Sequence, residues 1–496
     1  MKNWILFIVT AVIVFLLGML TYSIMDRKSE AKFAYRPKVE IGGIEPRDSV
    51  WGLNFPRQYQ SYLRTEDTTF RGYFTTSGHK DILKEQADLV MLWAGYGFSK
   101  DYNQPKGHMH AVNDVRKTLR TGAPKKAGDG PMPSACWTCK SPDVPRMMDE
   151  LTVTGYYGKQ LSDLGHEIIN PIGCADCHDP KTMNLTITRP ALVEAFTAMG
   201  KDIKNASHQE MRSLVCAQCH VEYYFSKKVP GSEGVPYVVF PWKKGLSVDD
   251  MEKYYDEIEF EDWTHPVSKA KMLKAQHPDW EIFSMGVHAK RGVSCADCHM
   301  PYKSEGGQKF TDHHIQSPLA NVENACFVCH REQKEKLMED VFERQKKLKE
   351  GSSTLQRRIA MAHVEAGKAW ELGANEVEMK EILKGIRHAQ WRWDFSVAGH
   401  GSAFHAPVEV GRIISSGLEI IGETRLKLAQ VLAKYNHNKP VAMPNFESKS
   451  DMQKYIGLDM AKEREAKAKF LNEVVPMWIE QGKDREAKWV VKAAAK

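Results

Sequence analysis

The sequence has no cysteine outside five Cys-x-x-Cys pairs, so none of its 10 cysteines remains for a conventional disulfide framework. It also has no block of five or six like charges. The 69 Lys and Arg residues nearly balance the 63 Asp and Glu residues, and the formal net charge is +6. This weak, dispersed charge argues against a nucleic-acid-binding protein. Because 42% of the residues are apolar and 27% are charged, a disordered tail and a collagen are excluded too.

Long apolar runs are also scarce, and the single one extends from Asn3 to Met25, between Lys2 and Asp26. About 20 apolar residues are enough to cross a bilayer as a helix. A charged start followed by an apolar core also outlines a secretory signal, although this run is long and no Ala-x-Ala cleavage site follows it. Residues 1–31 are therefore predicted to be a cleaved signal peptide or a membrane anchor. In both cases the rest of the chain is exported.

The five cysteine pairs all lie between residues 136 and 330. They are Cys136 and Cys139 followed by Lys140, Cys174 and Cys177 followed by His178, Cys216 and Cys219 followed by His220, Cys295 and Cys298 followed by His299, and Cys326 and Cys329 followed by His330. In Cys-x-x-Cys-His, two thioethers hold one porphyrin and the histidine becomes the proximal iron ligand. Zinc ribbons and thioredoxin motifs do not explain four such histidines. The motifs predict covalently bound haem c.

The first pair differs because Lys140 follows it. Either its iron takes a ligand from elsewhere, or it carries no haem, or Lys140 is itself the proximal ligand. A free lysine amine has a pKa of about 10.4 and must lose a proton to bind iron, which burial and the charge of the iron both favour. Since the axial ligand is a main control of haem chemistry, one odd motif indicates one haem with a separate task.

Histidine is plentiful enough to complete the remaining haems. Of 19 histidines, four follow cysteine pairs and 15 remain, whereas four bis-histidine haems need only four distal ligands. Spacing alone cannot assign these partners, because distal ligands come from remote segments.

The pattern of the chain predicts a mainly α fold with few short strands, in which haems form much of the core. Successive motifs start 38, 42, 79 and 31 residues apart, and this uneven spacing argues against a solenoid. Before residue 331 only short elements are expected, including helices within 80–93 and 110–120 and a strand at 237–240. Beyond it, amphipathic periodicity predicts long helices. They cover 333–350, 353–373, 374–391 and 410–435, with breaks at Gly351 and Gly373.

These features resemble the pentahaem cytochrome c nitrite reductases, which are periplasmic, ammonia-forming enzymes. The likeness runs from about residue 35 to the end and includes the lysine motif. It is carried by GHMHAVNDVRKTLRTGAP at 107–124, CAQCHVEYYF at 216–225, MLKAQH at 272–277, FTDHH at 310–314 and FHAP at 404–407. The resemblance implies a pentahaem catalytic region at 32–330. Residues 331–496 would pack on it as part of one compact domain and form a homodimer interface.

The resemblance also implies roles for individual residues. Lys140 would be the proximal ligand of haem 1, whose open side would be lined by Arg120, Tyr223 and His277. The distal ligands of haems 2 to 5 would be His313, His108, His405 and His288, with His314, His110 and His400 as competing neighbours. A calcium ion would take side-chain oxygens from Glu222 and Gln276 and backbone carbonyls from Tyr223 and Lys274, an all-oxygen set suited to that ion.

The implied reaction is the six-electron reduction of nitrite to ammonium. Arg120 would attract the anion, His277 would donate protons, and Tyr223 would donate a hydrogen bond. The electron donor would be a membrane quinol-oxidising multihaem cytochrome or a small soluble one. Two alternatives stay open at this point: a non-catalytic pentahaem electron carrier, and a multihaem reductase of hydroxylamine or sulfite.

Overall fold

The N-terminal apolar run forms one helix in the computed structural model, which describes residues 2–34, 37–72, 76–305 and 308–494. This helix, α1, spans Lys2–Ala34. Its window Lys2–Asp26 has a mean hydropathy of 2.7 and none of it is buried, and within the described chain it is the one helix that is long and apolar enough to cross a membrane.

Short helices and 3₁₀ turns carry the cysteine motifs. The helices are α2 Asp48–Asn54, α3 Pro56–Leu63, α4 Ile82–Glu85, α5 Leu89–Leu92, α6 Ala111–Lys117, α7 Asp143–Leu151, α8 Val153–Tyr157, α9 Cys174–Cys177, α10 Pro190–Ala198, α11 His208–Ala217, α12 Val248–Glu257, α13 Asp279–Met285, α14 Val287–Lys290, α15 Cys295–His299 and α16 Val322–Ala325. In α9 and α15, one helical turn holds both thiols of a Cys-x-x-Cys pair on the same side. In the other three motifs the second cysteine lies beyond the end of its helix or 3₁₀ turn.

Strands are few and short, as expected. They are β1 Tyr224–Ser226, β2 Tyr237–Val239, β3 Trp263–Thr264, β4 Lys271–Met272, β5 Tyr302–Glu305 and β6 Gln308–Thr311. They pair in sequence as three antiparallel two-stranded sheets within the described residues. The strand predicted at 237–240 is confirmed as β2, which pairs Val239 with Tyr224 directly after Tyr223.

Long helices dominate the chain beyond the last motif. They are α17 Lys334–Glu371, α18 Glu376–Ala398 and α20 Pro407–Lys434, with the short α19 Ser402–His405 between the last two. The break predicted at Gly351 is wrong, because this glycine lies inside α17, which is 38 residues long and unbroken. A Cβ atom there would lie only 3.3 Å from Ile414 Cγ2, so this glycine lets α20 approach closely. Gly373, with φ +97°, does follow the helix end.

The C-terminal segment folds back over the body as α21 Lys449–Tyr455, α22 Met460–Lys469 and α23 Val475–Glu486, with a π-helical turn at Phe470–Val474 between the last two. Its aromatic side chains Phe470 and Trp478 join a core cluster that also contains Trp137 and Trp242.

Two apolar clusters hold the body together, and both include residues from each side of residue 330. The first joins Trp137 and Trp242 to Trp391 and Ile413. The second packs the segment Leu89–Trp93 against α17, α18 and α20. The haem-motif region and the long helices therefore share their cores, and burial of these apolar side chains stabilises the fold.

Candidate haem and substrate site

A large cavity lies where the five cysteine pairs meet. Its volume is about 2010 Å³, and all ten cysteines line it. Small-molecule pockets usually measure about 300–1,000 Å³, and protein interiors are otherwise closely packed. The space and its lining therefore fit several large bound groups.

Four pairs of histidine rings face each other across this cavity. The ring centroids of His178 and His313 are 6.2 Å apart, those of His108 and His220 6.1 Å, those of His299 and His405 6.3 Å, and those of His288 and His330 6.3 Å. Two imidazoles that bind one metal ion from opposite sides place their centroids about 6 Å apart, because each metal–nitrogen bond is about 2 Å long. Each pair thus fits one iron.

Backbone carbonyls orient several of these rings. The Nδ1 atoms of His178, His299 and His313 lie 3.0, 2.9 and 2.8 Å from the carbonyl oxygens of Met183, Gln316 and Thr311. With Nδ1 engaged in this way, Nε2 is left for a metal. The Nδ1 atoms of His108 and His405 are buried without a hydrogen-bond partner among the described residues.

Burial favours the neutral, metal-binding form of three rings predicted to be distal ligands. It lowers the pKa of His108 to about 3 and those of His313 and His405 to about 4. Neutral imidazole is the form that ligates iron, so these rings need not lose a proton first.

The neighbouring histidines are placed differently from the predicted distal ligands. His110 directs Nε2 to the carbonyl oxygen of Glu66, 3.0 Å away. His314 and His400 also line the cavity. In the ring pairs, however, it is His108, His313 and His405 that face the histidine of a Cys-x-x-Cys-His motif.

The lysine motif occupies another part of the same cavity. Lys140 is half-buried and lines the cavity together with Arg120, Tyr223 and His277. Burial, followed by the nearby Lys140 charge, lowers the pKa of His277 well below its usual value. Burial also raises the pKa of Tyr223 well above its usual value, so that its hydroxyl stays protonated and can donate a hydrogen bond.

Arg120 is held on a 3₁₀ turn, Leu119–Thr121, that Asp101 fixes. Asp101 accepts hydrogen bonds from Thr118 Oγ1 at 2.6 Å and from the Leu119 backbone N–H at 3.0 Å. The Arg120 guanidinium lies over the Phe98 ring, 4.5 Å from its centroid, and its Nη1 is 4.0 Å from Asp101 Oδ1. The cation therefore has a defined position at the cavity wall.

Three of the four predicted calcium ligands form one cluster beside this wall. Glu222 is buried, and its Oε2 accepts a 2.6 Å hydrogen bond from the Gln276 backbone N–H. Gln276 Nε2 donates to the Lys274 carbonyl oxygen at 3.1 Å. Rotating this amide by half a turn would present Oε1 there instead, since the two ends have the same shape.

The charge around this cluster suits a cation. Burial, the neighbouring Glu281 and Asp262 raise the pKa of Glu222 well above its usual value. Glu281 Oε2 is buried and has no hydrogen-bond partner among the described residues. No three His, Cys, Asp or Glu side chains are gathered as a metal site in the described part of the chain. The predicted set has a single carboxylate and otherwise uses amide and carbonyl oxygens, so the residues present fit calcium.

Comparisons with known proteins identify the family of the chain. The family model for cytochrome c552 matches residues 48–488. The chain belongs to the cytochrome c552 family. It is 55% identical over 484 residues to cytochrome c-552 of Parabacteroides distasonis and 55% identical over 483 residues to that of Bacteroides fragilis strain YCH46, in each case over 97% of both chains.

A solved structure extends the likeness to the fold. The catalytic subunit of cytochrome c nitrite reductase from Desulfovibrio desulfuricans ATCC 27774, which has two calcium sites, matches with a TM-score of 0.74 and 29% identity over 85% of this chain and 90% of that chain. The family resemblance and the mainly α multihaem fold are confirmed. As a member of a cytochrome c family, the chain carries covalently bound haem c.

Sequence reasoning missed several residues that shape the site. Asp279 places Oδ2 3.6 Å from Nδ1 of His220, and Tyr255 donates a 3.0 Å hydrogen bond to Glu222. Asp394 lies 120 positions beyond Lys274 and still contacts it. Asp279 follows the KAQH segment by two residues and was within reach of motif analysis, but the other two contacts join remote parts of the chain.

Proposed function

We propose that the protein reduces nitrite to ammonium with six electrons at the haem of the Cys136–Cys139 motif. The observation that carries this proposal is the unequal division of the cavity. Four motifs have a second imidazole facing the proximal histidine, whereas the lysine motif shares its part of the cavity with Arg120, Tyr223 and His277. The fold likeness to a cytochrome c nitrite reductase supports the same reaction.

The four histidine pairs would hold haems 2 to 5, and Lys140 would hold haem 1. Bound haem would supply redox chemistry: four haems would relay electrons from the donor, and haem 1 would provide the iron centre for nitrite reduction. Lys140 must lose a proton to bind iron. Its loss removes the positive charge that otherwise acts on His277.

Three side chains would act on the substrate directly. Arg120 binds the anion and hydrogen-bonds its oxygens through a guanidinium that stays charged. His277 holds a proton near the departing oxygens, and Tyr223 donates a hydrogen bond from its hydroxyl. Arg120 lines the cavity with 30% of its side-chain surface accessible, so its guanidinium is available to a small anion.

Calcium would organise this group from behind. Glu222, Gln276 and the Lys274 and Tyr223 carbonyls would hold the ion. Tyr223 itself would act on the substrate, Glu222 precedes it in the chain, and Gln276 precedes His277. A cation there would offset the buried Glu222 and Glu281 carboxylates and fix His277 and Tyr223 in place.

The proposal includes partners and location. A multihaem cytochrome would supply the electrons, either a membrane quinol dehydrogenase or a soluble protein. The exposed helix α1 would direct export to the periplasm as a signal peptide, or remain as an anchor. Residues 331–496 would pack on the catalytic region 32–330, as the shared clusters support, and would pair two copies into a homodimer.

Electron counting tests the reaction. The full chain is produced in a host that attaches c-type haem, checked for five haems, and supplied with nitrite and a low-potential artificial donor. One ammonium formed per nitrite, with six electrons used, is the expected result. Nitrite left unchanged by protein that carries all five haems would contradict the proposal. Parallel assays with hydroxylamine and sulfite rank the substrates.

A further inference from the structure

A buried ion pair lies behind the substrate wall. Lys274 Nζ is 2.8 Å from Asp394 Oδ1, and only 2% and 1% of the two side chains are exposed. Asp394, on α18, also accepts a 3.0 Å hydrogen bond from the Ala275 backbone N–H through Oδ2. One carboxylate therefore holds both the side chain of residue 274 and the peptide that follows it.

The peptide held in this way carries the implied calcium ligands and a catalytic residue. The Lys274 carbonyl meets the Gln276 side chain at 3.1 Å, and the Gln276 N–H binds Glu222 at 2.6 Å. His277 comes next in the chain. A shift of Ala275 would therefore move all three groups relative to Glu222.

The same ammonium also reaches toward Arg120. Lys274 Nζ lies 5.0 Å from the centroid of the Phe98 ring, and the Arg120 guanidinium lies 4.5 Å from that centroid. Cations within about 6 Å of a ring are attracted to its face. Trp93 and Tyr102 pack on Phe98 with centroid distances of 5.4 and 5.5 Å, so the ring itself is well held.

A buried ion pair is a poor source of stability, because both charges lose their hydration. Apolar side chains of similar size would often serve as well. The Lys274–Asp394 pair lies between the 274–277 peptide and Phe98, where it can hold both in position.

We propose that Asp394 is a positioning residue, which through Lys274 and Ala275 fixes the 274–277 peptide at the calcium site and, through Phe98, steadies Arg120. The kinetic part of this inference rests on the proposed nitrite reduction. The calcium part does not, so the two can fail separately.

The first test measures calcium affinity in haem-loaded protein with D394N and D394E. D394N leaves the Lys274 charge unbalanced near the ion, and D394E keeps both charges but displaces the carboxylate by one methylene. Calcium affinity should fall about 10- to 100-fold in D394N, the usual effect of losing support behind a metal ligand, and less in D394E.

The matched control is E365Q, which removes a carboxylate from the Arg425–Glu365 ion pair between α17 and α20. It makes the same charge change away from the calcium cluster, so calcium affinity should stay at the wild-type value. Wild-type affinity in both Asp394 variants with five haems bound would overturn the proposal, as would the absence of calcium binding in the wild-type protein.

The second test uses F98L, which removes the ring that Arg120 and Lys274 share. The nitrite KM should rise severalfold while calcium affinity and kcat stay near wild type, because the anion site alone is loosened. An unchanged KM would remove the Phe98 link. If wild-type protein binds calcium but does not reduce nitrite, the proposed reaction fails and the calcium comparison still decides the role of Asp394.

Discussion

Among single residues, Lys140 separates one haem motif from the other four. We expect K140H to retain five haems, because both thioether cysteines remain, and to lose nitrite turnover by more than about tenfold, equivalent to about 1.4 kcal/mol of transition-state stabilisation. Haem content and steady-state rates measure this. Turnover at the wild-type rate would show that the lysine has no special task.

Arg120 is the residue expected to set the affinity for the anion. R120A should raise the nitrite KM and lower the rate, and R120K should lie between it and wild type because lysine keeps the charge but loses the planar fork. R412A is the control, since Arg412 binds Asp249 and Glu409 outside the cavity lining. Unchanged kinetics in R120A would exclude the residue from the site.

For single residues, the sequence predicts those within local motifs but not those that meet through remote contacts. The proximal residues follow from Cys-x-x-Cys-His itself. The distal histidines came from the family resemblance, because His108 and His220 are over a hundred positions apart and no spacing rule connects them. Asp394 was missed for the same reason, since nothing in α18 marks which of its carboxylates turns inward to meet Lys274.

Among the elements, the long helices followed from periodicity, but their glycines did not. A glycine inside a helical pattern predicts a break when only the chain is considered. In α17 the approach of α20 to Gly351 changes that result, because tertiary packing outweighs the local preference. Periodicity therefore predicted where the helices lie, and helix packing determined where they end.

Two other helix glycines should respond to alanine in opposite ways. A Cβ atom at Gly385 would overlap Thr424 of α20, whereas one at Gly422 meets no described atom within 4 Å. G422A should stabilise the protein by about 0.5–1 kcal/mol through helix propensity. G385A should lower the thermal midpoint. Equal shifts in the two variants would contradict the packing explanation.

A stacked pair of imidazoles joins α17 to the loop before β4 and should make the fold acid-sensitive. The rings of His265 and His363 are 3.8 Å apart, and their nitrogens bind Met91, Ser268 and Gln390. Burial lowers the pKa of His363 to about 4 and that of His265 well below its usual value.

The sign of the pH effect follows from this. Above pH about 6.5 both folded and unfolded chains hold neutral imidazoles, whereas below it the unfolded chain takes up protons that the folded one refuses. Stability should fall between pH 6.5 and 4 by about 3 kcal/mol for His363 alone. Unfolding midpoints against pH, in wild type and H363Q, measure this. An equally steep loss in H363Q would exclude this residue as the cause.

For the whole molecule, the cavity makes the fold depend on its haems. We expect chain produced without haem attachment to show no cooperative thermal transition, because a void of about 2010 Å³ cannot stay open in a packed interior. Limited proteolysis should cut it within residues 37–305, whereas the haem-loaded protein resists. Equal resistance of both forms would contradict this.

Fold class was predictable at this scale because haem motifs and helical periodicity both show in the chain. The sharing of cores across residue 330 was only permitted by the pattern, since Trp391 and Ile413 look like ordinary helix positions until Trp137 and Trp242 are placed beside them. Which apolar faces meet depends on the shape of the haem cavity between them.

The order of the elements also sets a timetable for assembly. On the proposed export route the chain emerges N-terminus first, so all ten cysteines leave the translocation pore before α17, α18 and α20 are complete. The helices that share the cores around the cavity thus arrive after all five haem motifs. Haem attachment by the maturation machinery would therefore have to precede the docking of those helices. A slower attachment enzyme would find the cysteines partly covered.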